Sequence, residues 1–542
     1  MYKSGKKYGI EMDENLWNLP VDKIYMDLHQ PDSVFSERDL EQIHQSGKRV
    51  EDVLAQLSIF SMGFPDVTLL REVSPEDGVL TCSQQNQQLY LDKFELARER
   101  VRMAKFVPAS GASSRMFKLL YAYLQNPEDF SEDEHTQIST FCQQLEAYAF
   151  YQPLEEALET SGYKLKELQE KESYKVIISH LITEKGLAFG SLPKALIPFH
   201  SYKEGCRTAI EEHLVEAANY CVSADKMVKL HITLSPQHIP LVKDLMKKVL
   251  PIYEKKLGVK YDIAYSIQNP ATDTLAVDLE NQPYYLEDGS LLFRPGGHGA
   301  LLENLQQMES DWVYIKNIDN VVHDDWKEST YLWKKILGGV MYSFQEKIFD
   351  WLRQLEDTHL ILPEVERNLQ AFLKGEVGLG FPDYFGEWGR EERVSWYRKK
   401  LNRPIRVCGI IRTAEATGGG PFWVAQEGEA SLQIIETAQI NLADPAQQEI
   451  LSRSRYAHIT DLVCGLKDVK GQKFDLPAYR NDQMGFIVQK SLNGRPLRAM
   501  ELPGLWNGAM ADWNTILLEV PHETFNPVKT VMDLAGKEHR PK

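Results

Sequence analysis

The chain has 542 residues, more than one domain usually holds, and its 43% hydrophobic and 26% charged content is ordinary for a globular protein. A net charge of −17 and a pI near 5.4 argue against general nucleic-acid binding, which favours basic surfaces. The six cysteines are scattered without a CxxC pair, which points to a reducing compartment and away from a cysteine-based zinc site.

Residues 1–34 read as irregular, with Trp17 and Leu19 as docking anchors. They have lysines but no apolar core of a signal peptide. No later run approaches the ~18 apolar residues of a membrane span. A cytoplasmic protein without membrane association is therefore expected. Ser36 and Asp39 form a capping signature ahead of apolar residues at helical spacing. The pattern predicts a helix over 91–104, rich in Arg and Lys, then a short strand over 105–109. After it comes Ser110-Gly111-Ala112-Ser113-Ser114-Arg115-Met116. Small residues between a strand and a helix start suit a phosphate-cradling loop, because backbone N–H groups and the helix dipole favour anions there. Arg115 adds a fork of donors for phosphate oxygens. The loop has neither the GxxxxGK[ST] of a P-loop nor the GxGxxG of a Rossmann turn. Small-residue turns of this kind also occur with no ligand.

Residues 117–187 read as mostly helical, with a capping box at Ser131 and Glu134. A turn then presents Leu192-Pro193-Lys194. A helix over 208–220, a strand over 228–234, a helix over 239–256 and a strand over 261–267 follow. Gln268, just past the last strand, has an amide able to read a base edge or to satisfy the turn. The stretch 291–320 reads as a strand end, the turn Arg294-Pro295-Gly296-Gly297-His298-Gly299, a helix over 300–308, and the strand Trp312-Val313-Tyr314-Ile315. Paired glycines allow close backbone approach to a ligand, and His298 serves either as a contact or as a brace of the turn. The apolar strand is expected to be buried on both faces of a parallel sheet. It runs into Asn317-Ile318-Asp319-Asn320. A carboxylate just past such a strand sits where α/β folds bind ligands, and one or two carboxylates with substrate phosphates suffice for Mg²⁺.

Residues 326–372 read as helical and those up to 400 as loop-rich, with Gly378-Leu379-Gly380 a turn. Strands are expected over 406–412, 432–440 (carrying Glu436), 462–464, 486–488 and 515–520, with a glycine-rich segment over 415–424. The tail contains Trp506-Asn507-Gly508 and Pro527-Val528-Lys529 with Asp533-Leu534. His323-Asp324-Asp325 reads as a hydrated turn rather than a metal site.

Taken in order, these motifs resemble the GT-A-fold nucleotidyltransferases, above all the UDP-sugar pyrophosphorylases (UTP:sugar-1-phosphate uridylyltransferases). The 110–116 loop looks like their Gly-Gly-x-Gly-Thr-Arg, with Ser110 and Ser114 replacing glycine and threonine. Pro193-Lys194, Arg294-Pro295-Gly296-Gly297-His298-Gly299, Asn317-Ile318-Asp319-Asn320 and Pro527-Val528-Lys529 resemble the motifs that follow. The chain as a whole also resembles an uncharacterised bacterial family, a domain of unknown function grouped with these enzymes.

The resemblance implies an α/β fold: a GT-A-like mixed, mostly parallel central sheet flanked by helices. It implies an N-terminal helical extension over 1–100 and a core over 101–325 with a helical insertion at 117–187. A helical and loop-rich insertion over 326–404 and the rest of the core over 405–542 complete it. It further implies Mg²⁺-dependent transfer of UMP from UTP to a sugar 1-phosphate. Arg115, Lys194 and Lys529 would be catalytic. Gly111, Ala112, Ser113, Ser114, Gln268, Gly296, Gly297 and His298 would bind the nucleotide. Glu436 and Asn507 would bind the sugar, and Asp319 the metal. The departures keep two alternatives open: another nucleotide or phosphorylated acceptor, or an inactive nucleotide-binding or interaction protein. The 117–187 insertion makes the return of Lys194 the deciding question.

Overall fold

Eight segments pair into one central sheet. In chain order they are β1 (Val79–Leu80), β2 (Met103–Pro108), β3 (Met227–Thr233), β4 (Lys260–Ser266), β5 (Trp312–Lys316), β6 (Ile405–Arg412), β7 (Tyr456–Gly465) and β8 (Asn514–Glu519). Their order in space is β1-β8-β6-β7-β5-β2-β3-β4. Neighbours are parallel except where β7 lies antiparallel between β5 and β6. This is a mixed α/β fold with a mostly parallel sheet flanked by helices, seen in a computed structural model that describes residues 34–111, 113–356, 362–414, 418–426 and 428–542. Trp17, Leu19, Ala112 and positions 415–417 lie outside the described residues.

The central strands explain their sequences. All five residues of β5 are buried, as are Met103 to Val107 of β2. A strand covered on both faces reads as a continuous apolar run. β5 is parallel to β2 and antiparallel to β7 on its other edge, within the mixed, mostly parallel sheet that was expected. The helix expected over 91–104 is Gln84–Arg100. It ends early because Arg102 is drawn into pairing with β5: its N–H donates to the Asp311 carboxylate at 2.8 Å, and its carbonyl accepts from the Asp311 N–H at 2.9 Å. Tertiary pairing overrides helix propensity here. The expected helix over 300–308 shrinks to Leu301–Gln306 after a 3₁₀ turn, Gly297–Ala300. The strand expected over 486–488 is half of a hairpin, Phe486–Leu492 with Arg495–Glu501.

Residues 117–187 are helical, in five α-helices from Lys118–Gln125 to Tyr174–Ile182. Their apolar faces join the main core: Phe117, Leu120, Phe141, Leu145, Phe150 and Ile177 belong to the same buried cluster as Val107, Ile232 and Tyr314. The segment is thus built into the fold rather than appended to it.

The chain divides into two compact units. The larger spans Val67–Gln268, Leu301–Asn481 and Met510–Lys542 and holds the whole central sheet. It also holds a three-stranded antiparallel sheet of Leu69–Glu72, Gly419–Gln426 and Glu429–Glu436. Among the described residues, the smaller joins Asn269–Ala300 and Asp482–Ala509 to residues 34–66. It has its own core, in which Ile43, Val53, Leu54, Leu57 and Phe60 of helices Glu37–Gln45 and Val50–Met62 meet Leu275, Leu291 and Met500. Its first helix has the Ser36–Asp39 capping box. Among the described residues, no helix is long and apolar enough to cross a membrane.

Candidate active site

β5, β2, β3 and β4 are consecutive parallel neighbours, so their carboxyl ends open on one edge of the sheet. Ligands bind at that edge of open α/β sheets. Three of the motif segments lie there: β2 leads into the 109–115 loop, β4 into Gln268, and β5 into Asn317 to Asn320.

The loop after β2 is pinned at both ends. The Ala109 N–H donates to the Thr233 carbonyl at 2.9 Å, and the Ser235 hydroxyl to the Ser110 carbonyl at 3.0 Å. Ser113 is buried and faces inward, its Oγ 2.6 Å from the carbonyls of both Phe189 and Leu192. Its N–H also donates to Leu192. Ser113 therefore braces the loop rather than presenting a hydroxyl outward. Gly111, Ser114 and Arg115 are exposed. A Cβ at Gly111 would meet nothing within 4 Å among the described residues, so packing there does not require glycine. The turn Ser113–Arg115 is 3₁₀, and the α-helix begins only at Lys118.

The bonds from Ser113 return the chain from the insertion. Leu192, held by Ser113, is followed by Pro193 and the turn Lys194–Leu196. Lys194 Nζ lies 3.1 Å from Asp319 Oδ2 and donates to the Val528 carbonyl at 2.9 Å. Lys529 reaches the same oxygen at 3.2 Å. These partners lie 125 and 210 residues from Asp319 in the sequence. The late motif docks directly on the β5 turn. The Val528 N–H donates to the Asp319 carbonyl at 3.0 Å, and the Asn526 N–H to Asn320 Oδ1 at 2.9 Å. Asp533 accepts from the N–H groups of Lys529 and Thr530, both at 2.7 Å, which fixes the start of the Lys529 side chain.

Asp319 is thus the meeting point of three motifs. Its side chain is 10% exposed, against 13% for Lys194 and 62% for Lys529. One ammonium is held close to the protein and the other reaches into solvent. Two ammoniums on one carboxylate leave a local excess of positive charge within an acidic chain. The other oxygen, Asp319 Oδ1, is buried without a hydrogen-bond partner among the described residues. A buried carboxylate oxygen normally has a partner. A hard cation is one that an oxygen donor suits. Among the described residues no group of three or more His, Cys, Asp or Glu forms a metal cage by itself.

The remaining residues fall elsewhere. Gln268, half-buried, follows β4 in the larger unit. Glu436 ends the strand Glu429–Glu436 of the three-stranded sheet, and its N–H donates to the Gln439 amide oxygen at 2.9 Å. Gly296, Gly297, His298 and Asn507 belong to the smaller unit. There the glycines answer to packing. A Cβ on Gly296 would lie 2.8 Å from Leu502, and one on Gly297 (φ +73°) 2.0 Å from the Glu501 carboxylate. The His298 ring stacks on Trp506, with centroids 4.1 Å apart, and its Nδ1 accepts from the Leu505 N–H at 2.9 Å. The histidine braces this turn. Asn507 is buried in the same loop.

Sequence reasoning passed over a set of buried charges behind the site. Lys105 on β2 and Lys316 on β5 both bond Glu216 of helix Ala209–Tyr220, each at 2.9 Å. Burial drives the Lys105 ammonium down to about 8 despite Glu216. Burial also opposes the charge on Glu216, but Lys105 and Lys316 outweigh it and hold the carboxyl well below its usual range. Glu212 of the same helix meets Lys327, His200, Tyr202 and Arg207. The signal was available: a lysine inside each of two apolar strands needs a buried acid.

No curated protein matches the sequence. Among solved structures, the chain is similar to a UDP-N-acetylglucosamine pyrophosphorylase from Trypanosoma brucei, at 11% identity and a TM-score of 0.44, with 94% of this chain and 81% of that one covered. It is similar to a UDP-glucose pyrophosphorylase mutant from Leishmania major in complex with UDP-glucose, at 12% identity and a TM-score of 0.41, covering 92% and 77%. A UDP-glucose phosphorylase from Trypanosoma brucei gives 12% identity and a TM-score of 0.41, covering 92% and 76%. A family model matches residues 36–540, and the chain belongs to that family, described as Domain of unknown function (DUF4301).

Proposed function

We propose that the protein is a nucleotidyltransferase that moves UMP from UTP to a sugar 1-phosphate, giving a UDP-sugar and pyrophosphate. The observation that carries this reading is the convergence of Lys194 and Lys529 on Asp319 Oδ2, at the carboxyl edge of the sheet. Three segments far apart in sequence meet in one charged cluster.

The chemistry asks for this kind of site. A sugar-phosphate oxygen attacks the α-phosphorus in line; a P–O bond forms as the bond to the bridging oxygen breaks, and the electron pair leaves with pyrophosphate. The nucleophile is already an anion near neutral pH, so no strong base is needed. Positioning and neutralisation of charge lower the barrier. Gly111 and Ser114 offer exposed loop backbone to the triphosphate, with Ala112 of the same motif and Ser113 as brace. Arg115 and Lys194 stabilise charge on the α-phosphate and the leaving group. Lys529, the more exposed cation, neutralises the acceptor phosphate. Gln268 contacts the base. On motif order alone, Gly296, Gly297 and His298 also take base contacts, and Glu436 and Asn507 take the sugar.

Asp319 Oδ1 is the donor that suits Mg²⁺, with the other ligands supplied by substrate phosphates. When bound, the ion withdraws charge from the phosphate oxygens. A thermal-shift panel of nucleoside triphosphates with Mg²⁺ tests the reading. UTP is expected to raise the melting temperature more than CTP, GTP or ATP, since a ligand at 100 times its Kd adds about 2.7 kcal/mol. A stronger response to another triphosphate would change the assigned base, and none to any would remove the reading.

A further inference from the structure

Helix Ala209–Tyr220 carries Glu212, His213 and Glu216 into the interior, where none of the three has measurable exposure. Buried ionisable groups need partners. Lys327 and Arg207 pair with Glu212 from elsewhere in the fold, but the partners of Glu216 and His213, and two more of Glu212, belong to segments that lead to or from the site. Glu216 accepts from Lys105 and from Lys316, each at 2.9 Å. Lys105 lies on β2, which leads into the 109–115 loop. Lys316 ends β5, just before the turn with Asp319. His213 Nε2 donates to the carbonyl of Ile318 at 3.2 Å. Its Nδ1 has no partner among the described residues, so Nε2 carries the proton of the neutral ring. One turn earlier, Glu212 accepts from His200 at 2.9 Å and from the Tyr202 hydroxyl at 2.8 Å, both in the strand that follows Lys194. The Ala209 N–H donates to the Ile197 carbonyl at 3.2 Å.

One helix therefore grips the two chain segments that form the Lys194–Asp319 pair. Apolar side chains of similar volume would fill this space with less desolvation. A carboxylate shared by two buried ammoniums does something they would not. It ties β2 and β5, already paired through their backbones, to the helix by two directional bonds, and the His213 bond holds the carbonyl next to Asp319.

We propose that Glu216 and His213 are positioning residues. By holding Lys316 and Ile318, they set the Asp319 carboxylate against Lys194. The functional half of this inference rests on the reading of Asp319 given above; the mechanical half does not.

The test combines hydrogen–deuterium exchange with kinetics on the full chain. Glu216→Gln keeps the shape but serves two ammoniums poorly. His213→Leu removes one bond, fills the ring's space and deletes an unpartnered buried nitrogen, so it remains folded if Glu216→Gln does not. In His213→Leu, exchange over 312–320 is expected to rise about tenfold while the rest of the sheet keeps its protection. The kcat for pyrophosphate release from UTP and a sugar 1-phosphate is expected to fall about tenfold, with KM for UTP within about threefold. Unchanged exchange over 312–320, or a rise spread evenly across the sheet, would overturn the positioning role. A local rise in exchange with kcat unchanged would overturn its link to catalysis. Absence of turnover in the wild-type protein would instead defeat the reading of the site, while the exchange data alone still decided the mechanical half.

Discussion

Lys194 Nζ lies 3.1 Å from Asp319 Oδ2, although the helices of 117–187 intervene between the 110–116 loop and Lys194. The detour is closed by Ser113, which bonds Phe189 and Leu192 just before Lys194. The insertion packs into the main core, so Lys194 follows a segment anchored in the fold.

Replacing Lys194 with methionine keeps the length of the side chain and removes its charge. Asp319 would keep Lys529, so the fold is expected to persist, with the melting temperature close to that of wild type. Turnover is expected to fall ~10²–10³-fold, the usual loss for one preorganised charge stabiliser. Turnover within twofold of wild type, measured by pyrophosphate release, would remove Lys194 from the site.

Lys529 makes a different prediction because 62% of its side chain is exposed. Exposed charges are screened by salt much more than half-buried ones. The KM for the sugar phosphate is expected to rise with NaCl, and the slope of that rise should shrink in Lys529→Met. It should stay near the wild-type slope in Lys194→Met. Equal slopes in all three proteins would argue against Lys529 as the acceptor-phosphate cation.

The sheet strands around the site were legible by two patterns: the 312–315 run because a strand buried on both faces reads as apolar throughout, and 228–234 because its apolar residues alternate with polar ones. The 312–315 run and the strands ending at Pro108, Thr233 and Ser266 are where periodicity leads one to look. The pairing of β5 with antiparallel β7 was not legible, since nothing in an apolar run states the direction of its neighbour. Asp319, Lys194 and Lys529 were legible only as members of ordered motifs; their meeting depends on contacts across hundreds of positions. The glycines at 296 and 297 show the opposite case. Their sequence suggests close approach of a ligand, yet packing against Leu502 and Glu501 by itself accounts for the missing side chains. The charges on helix Ala209–Tyr220 were missed because glutamates in a helix usually mark its solvent face.

The buried lysine–glutamate group predicts a distinctive stability pattern. Glu216→Ala strands two buried ammoniums, and breaking such a group by removing one partner costs about 3–5 kcal/mol. The triple variant Lys105→Met, Glu216→Leu, Lys316→Met removes every charge and is expected to recover most of that loss. Urea unfolding of the three proteins checks this. A triple variant no more stable than Glu216→Ala would mean that the charges hold the core in a way apolar packing cannot replace.

A pair of histidines predicts a pH dependence. His200 Nε2 and His539 Nδ1 lie 2.9 Å apart, both buried, with Glu212, Lys327, His323 and Tyr202 around His200. Burial, with His200 alongside, lowers His539 from 6.5 to about 3. Burial lowers His200 as well, against the pull of Glu212. The folded state thus favours neutral rings while the unfolded chain takes up protons below about pH 6.5. Their contribution is fully present above 6.5 and is lost as pH falls from there towards 3. Denaturant midpoints of the wild-type protein should fall over that range more steeply than those of His539→Asn. Parallel curves would show that the pair does not titrate as described.

The most direct test of the central claim is a mass-spectrometric product screen with UTP, Mg²⁺ and a mixture of sugar 1-phosphates, run on the wild-type protein and on Asp319→Ala. The wild-type protein is expected to form a UDP-sugar together with equimolar pyrophosphate, and the variant to do so at a rate ~10²–10³-fold lower. No uridylylated product from any sugar 1-phosphate, or equal rates for the two proteins, would contradict it.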